Sequence, residues 1–136
     1  MPVSENLTTE ICSVIKEQIP NVLAIYGFGS QISGFANSES DLDLAVLVEG
    51  YASPVSLWDL ANGKLADIVK MPVDLLDMRA ASTVMQHQIL TTGNRLYAKN
   101  SFVDSFECFV FREKFYLDEK RTELFSDIKK RGFVYG

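Results

Sequence analysis

Cysteine and histidine are scarce in this chain. Cys12 and Cys108 lie far apart, and His87 is the single histidine. Two distant thiols give no disulfide framework, and with one imidazole they give no zinc spacing. Each cysteine falls among apolar neighbours, so both are expected as buried free thiols. His87, in Met85-Gln86-His87-Gln88, is expected as a surface or packing residue. Long apolar runs are also missing. None approaches the roughly 20 residues needed to cross a bilayer, and the start, Met-Pro-Val-Ser-Glu-Asn, lacks the basic and apolar stretches of a signal peptide. A cytoplasmic location is therefore expected. There is no internal repeat and no low-complexity tract. Basic charge is short as well. Thirteen Lys and Arg stand against eighteen Asp and Glu, for a net charge of −5. Such a body is unsuited to gripping DNA or RNA by its phosphates, which needs a basic face. It can still take a small nucleotide escorted by cations, or a basic protein partner.

What remains is ordinary globular composition, 47% hydrophobic and 23% charged over 136 residues. That fits one domain, 1–136, with a real core. Leu7, Ile11, Val14, Ile15 and Ile19 recur at helical spacing, with Ser4 as cap and Pro20 as stop, which predicts a helix over 5–19. Val22 to Phe28 is short, apolar and β-branched, and reads as a buried strand. A loop rich in Gly and Ser follows, with room for one helical turn. Residues 41–48 alternate: Leu42, Leu44, Val46 and Val48 on one face, Asp41, Asp43, Ala45 and Leu47 on the other. A helix over about 55–70, a strand at 71–77, a helix at 80–92, a strand at 95–98 and a helix over 101–131 complete the pattern. The fold class is α/β, one short sheet covered by helices.

Three features carry chemistry. Gly29-Ser30 follows a buried strand. Asp41-Leu42-Asp43 begins ten residues after Ser30, and Asp74 sits inside another predicted strand. Residues two apart on a strand point the same way, so Asp41 and Asp43 present paired carboxylates. Such a pair is costly without a cation between them. Hard oxygen ligands suit Mg²⁺ shared with substrate phosphates. If the third strand neighbours the second, Asp74 joins the cluster, and three carboxylates make a two-metal clamp for attack on phosphorus. Asp77 competes with Asp74, but the period of two cannot put both on one face. A glycine lets the backbone approach a phosphate, and amide N–H groups with the Ser30 hydroxyl make an anion site. Either piece alone is ordinary: a turn, or a solvated edge. Together, at this spacing, they arise by chance in roughly one such chain in several hundred.

Tyr26-Gly27-Phe28-Gly29-Ser30, the ten-residue spacer and Asp41-Leu42-Asp43-Leu44 resemble the signature of the polymerase-β-type nucleotidyltransferase superfamily. The short chain resembles its minimal nucleotidyltransferases, most of all the MntA-type antitoxins of HEPN/MNT toxin–antitoxin modules. The resemblance implies a mixed sheet carrying the acids and a long C-terminal helix. By position, Gly29 and Ser30 would hold the NTP phosphates, while Asp41, Asp43 and Asp74 would be the catalytic, metal-binding acids. It implies Mg²⁺, two ions, as cofactor and ATP as substrate. The implied partner is a HEPN-domain ribonuclease toxin, silenced in a hetero-oligomer by AMP placed on a hydroxyl, expected to be a tyrosine's. Where many relatives carry basic spacer residues, Ile32, Ser33 and Asn37 stand here, and Gly34 is kept.

Other classes compete with this reading. One is a binding antitoxin that neutralises by steric capture; another is a nucleotidyltransferase acting on a small molecule. The C-terminal segment mixes Phe102, Phe106, Phe109, Tyr116 and Phe125 with Arg112, Lys114, Lys120, Arg121, Lys129, Lys130 and Arg131. Its dense aromatic first half is expected to be an amphipathic helix that packs on the sheet and leaves an outer face solvated, the alternative being a helix that docks a partner. Its basic end suits either a partner or the helix dipole.

Overall fold

Ile11, Cys12, Ile15 and Ile19 form one buried stripe on the first helix, α1 (Glu5–Gln18), and press it onto a four-stranded sheet. These positions come from a computed structural model, which describes residues 5–28, 41–50 and 52–130. The strands are β1 (Val22–Phe28), β2 (Leu42–Val48), β3 (Val73–Asp77) and β4 (Asn94–Ala98). Their order across the sheet is β3-β2-β1-β4. β1 runs antiparallel to both β2 and β4, while β2 and β3 are parallel. The sheet is thus mixed, as expected, and the assumed adjacency of the second and third strands holds.

The alternation read in residues 41–48 divides the core. Leu42, Leu44, Val46 and Val48 are buried against α1 and α2, and Ala45 and Leu47 against the opposite layer. Burying each such aliphatic side chain contributes roughly 1.5–3 kcal/mol, which pins the register. The helix α2 starts at Pro54, with Ser53 as N-cap and the proline at the first helical position, where its missing N–H costs nothing. It runs as α-helix over Pro54–Leu60, as a wider π turn over Ala61–Leu65 and again as α-helix over Ala66–Val69. The π turn is centred on Gly63, the residue with least conformational preference for the regular helix. Lys70 closes α2 in the left-handed conformation, its N–H bonded to the Ala66 carbonyl.

Beyond β3, a 3₁₀ turn (Met78–Ala80) precedes α3 (Thr83–Thr92). The helix therefore starts later than the expected residue 80. Asp77 caps the 3₁₀ turn by accepting the Arg79 N–H, and Ser82 caps α3 by accepting the Met85 N–H. The last helix, α4, spans Phe102–Lys130. Val103, Phe106 and Val110 are its buried anchors. Phe102, Phe109, Phe111, Phe115 and Tyr116 are exposed, so α4 packs on the sheet along one face and turns the other outward, as its amphipathic pattern predicts. The two valines and Phe106 join Ala24 and Ala45 in one buried cluster, and the neighbouring rings are left exposed. Cys108 falls on that outer side too and is exposed, against expectation, while Cys12 is buried. His87 is half-buried, its ring edge-on to Phe111 at 5.4 Å. Among the described residues, no helix is long and apolar enough to cross a membrane.

Candidate active site

β2 is the central strand of the site. Its residue Asp43 stands between Phe28 on β1 and Asp74 on β3 as a direct register partner of each. Phe28 is the last residue before Gly29, so the chain leaves β1 at the same end of the sheet where β2 carries its acids. Asp43 shares its face with Ala45 and Leu47, and Asp74 shares that face with Leu76. Leu75, one residue on, packs into the opposite core. The carboxylates at 43 and 74 therefore leave the sheet on one side. Asp41 immediately precedes β2 and is exposed, as is Asp74, while Asp43 is half-buried.

The electrostatics follow from this crowding. Burial pushes the Asp43 carboxyl above its ordinary value, and the negative charges of Asp74 and Asp41 push it further in the same direction. Each of these causes penalises the ionised form, so the site as folded holds negative charge at a cost. Such a cluster attracts a cation or a cation-escorted ligand. Among the described residues, no three acidic, histidine or cysteine side chains converge closely enough to hold an ion alone. Gly29, Ser30 and the spacer residues Ile32, Ser33, Gly34 and Asn37, with the expected helical turn there, lie outside the described residues. So do Arg131 and the side chains of Lys129 and Lys130. Asp77, the competing acid, has one carboxylate oxygen engaged in its cap.

Two supports were not read from the sequence. Gly93 ends α3 and abuts the site strand. A Cβ there would lie 2.5 Å from the Gly27 carbonyl oxygen, 2.8 Å from that of Ile89 and 3.0 Å from the Phe28 Cβ. Tyr26, almost fully buried, donates a 2.7 Å hydrogen bond to Glu107 on α4. Arg95 on β4 meets both Glu107, at 3.2 Å, and Asp104, at 2.9 Å. This network ties the site strand β1 to β4 and α4. A third feature is a cavity of about 470 Å³ between α2 and β3, lined by Asp74, Asp77 and Trp58 among others. Trp58 is off the apolar stripe of its helix and 67% exposed. That displacement was the available signal, because a tryptophan facing away from its own helix's core is unusual enough to question.

This geometry is that of a nucleotidyltransferase: acids of two parallel strands on one face, beside the strand that leads into the Gly-Ser pair. The family described as "Polymerase beta, Nucleotidyltransferase" matches residues 9–102, and the chain belongs to it. Within that family it is similar to the protein adenylyltransferase MntA of Shewanella oneidensis. The two are 32% identical over 119 residues, 88% of this chain and 85% of the relative. A solved toxin–antitoxin complex with AMP-PNP superposes with a TM-score of 0.78 at 31% identity, covering 90% of this chain and 98% of that one. A complex of tri-AMPylated Shewanella oneidensis HEPN toxin with MNT antitoxin superposes with a TM-score of 0.73 at 29% identity, covering 93% and 99%.

Proposed function

We propose that this single-domain chain is an antitoxin that transfers AMP from ATP to a hydroxyl of a HEPN-domain ribonuclease toxin, a tyrosine hydroxyl by preference, and so silences it. The observation that carries the reading is the pairing of Asp43 with Asp74 beside the strand that ends at Phe28. The similarity to MntA and to complexes containing AMP-PNP or AMPylated toxin supports the nucleotide and the acceptor.

In the proposed reaction the acceptor oxygen attacks the α-phosphorus of ATP. A new P–O bond forms, the bond to the β-phosphate oxygen breaks, and pyrophosphate leaves. Asp74 orients the acceptor hydroxyl and takes its proton. Gly29 and Ser30 hold the phosphate tail through backbone N–H groups and the serine hydroxyl. Asp41, Asp43 and Asp74 would hold Mg²⁺, two ions, whose chemistry is to neutralise the phosphates and sharpen the nucleophile. The raised Asp43 carboxyl fits that role, since a bound cation would reverse the penalty its acidic neighbours impose.

The test is intact-protein mass spectrometry of a HEPN toxin incubated with this chain, Mg²⁺ and ATP, beside an Asp41→Asn/Asp43→Asn control. A gain in whole AMP units, absent from the control, is the expected result. Neutralisation of the toxin without any gain would leave steric capture in its place.

A further inference from the structure

We propose that the outer edge of β3, together with Trp58 on α2, seats the segment of the protein acceptor that carries the modified hydroxyl. The inference rests on the reading of this chain as a protein nucleotidyltransferase and says where the partner enters.

Strand order sets the direction of entry. Across the sheet come β3 with Asp74, β2 with Asp43, and β1 leading to Gly29-Ser30. In-line displacement requires the entering oxygen and the leaving pyrophosphate to lie on opposite sides of the phosphorus. With the phosphate tail held on the β1 side, the hydroxyl enters over β3. Among the described residues β3 pairs with β2 alone, so its other edge is open. The Leu42 N–H bonds the Pro72 carbonyl, so the alternate peptide groups at Asp74 and Leu76 also face β2. Those of Val73, Leu75 and Asp77 face outward. An outward row of N–H and C=O groups is a template for an extended peptide.

The cavity lies along that same edge. Leu57, Ala61 and Leu75 supply its apolar lining, and Trp58, 67% exposed, forms a wall. Among the described residues Asp74 and Asp77 are the charged groups that line it, and no basic residue does. Asp77, on the face opposite Asp43, adds a second negative charge to the wall away from the paired acids. These charges favour a polypeptide with neutral or basic side chains, added as an extra strand with an apolar or aromatic side chain against Trp58. Trp58 is thus a positioning residue for the acceptor, and the nucleotide keeps to the other side of β2.

The test uses the full chain, a HEPN toxin, ATP and AMP-PNP, with variants Trp58→Ala and Trp58→Phe. Because Trp58 is exposed, both variants should melt with the wild type. Trp58→Ala should raise the KM for toxin by about tenfold or more while leaving the KM for ATP within about twofold, and Trp58→Phe should recover most of the loss. Trp58 is also the single tryptophan of the chain. AMP-PNP alone should leave its emission and its quenching by acrylamide unchanged. An unchanged KM for toxin in Trp58→Ala, or protection of Trp58 by AMP-PNP, overturns the proposal, the latter by making the nucleotide base the occupant. If the wild type captures toxin without modifying it, the nucleotidyltransferase reading fails separately. The docking proposal is then judged by whether Trp58→Ala weakens capture by the same factor. Neither capture nor transfer by the wild type overturns both.

Discussion

Asp43 and Asp74 face one another across the parallel ladder of β2 and β3, two acids in register on adjacent strands. The arrangement opposes stability, since the exposed Asp74 carboxylate crowds the half-buried Asp43. Asp43→Asn should therefore raise the melting temperature slightly in the absence of divalent ions. The site is partly solvated, so the gain is on the order of 0.5 kcal/mol, not more. The same substitution should lower AMP transfer by at least about 100-fold. Mg²⁺ with ATP should raise the melting temperature of the wild type and leave that of the variant nearly unchanged. Scanning fluorimetry and a transfer assay on the same samples check both halves.

Gly93→Ala should be damaging although the glycine has no unusual backbone angle. The added methyl would sit within 2.5 Å of the Gly27 carbonyl oxygen and 2.8 Å of the Ile89 carbonyl oxygen. Both are backbone atoms, so neither can swing aside as a flexible side chain would. A cost of about 1–3 kcal/mol is expected, measured by urea unfolding. Because Phe28 also borders the methyl, any folded fraction should show a raised KM for ATP.

The Tyr26 hydroxyl is predicted to be a modest contributor with a strong coupling. Tyr26→Phe leaves Glu107 still paired to Arg95, so it should cost about 1 kcal/mol. Glu107→Leu strands the hydroxyl of a buried tyrosine and should cost more. The double variant should be less destabilised than the two single variants summed, by about 0.5 kcal/mol or more. Burial, then the bond to Glu107, holds the Tyr26 hydroxyl far above its ordinary pKa, so it remains a neutral donor throughout the working range.

The two thiols should behave differently. Cys108 is exposed and should react with a thiol reagent in the native state, while Cys12 should react only on unfolding. Burial pushes the Cys12 thiol above its ordinary value, against a smaller opposite pull from Lys16. The unfolded chain then loses that proton first as pH rises. Stability due to Cys12 is complete below the ordinary thiol pKa and falls above it. Melting between pH 7 and pH 10 should decline less steeply in Cys12→Ala than in the wild type.

Period-two patterning was enough to read β2 correctly, because Leu42 and Leu44 need a core and Asp41 and Asp43 need water or a ligand. The same pattern separated Asp74 from Asp77. The start of α3 was misplaced because Asp77 caps a separate 3₁₀ turn and Ser82 caps the helix itself. That α4 would pack along one face was legible, but local spacing shows that apolar residues recur and not which of them are buried. Val103, Phe106 and Val110 are the ones that join the cluster with Ala24 and Ala45. The cavity beside β3 was invisible for a related reason. It is made by the distance between α2 and an edge strand, and no single segment encodes that distance.

The antiparallel pairing of β1 with β2 means that the chain departs from and returns to one end of the sheet, with Phe28 and Asp43 opposite each other. Whatever links them, the two anchors are held by the ladder and not by the connection. Asp43 therefore keeps its place between Phe28 and Asp74 through backbone pairing on both sides. A substitution that shifts the register of β1 would thus move the opposing acid with it, and lost transfer would follow from a displaced ladder with every acid still present.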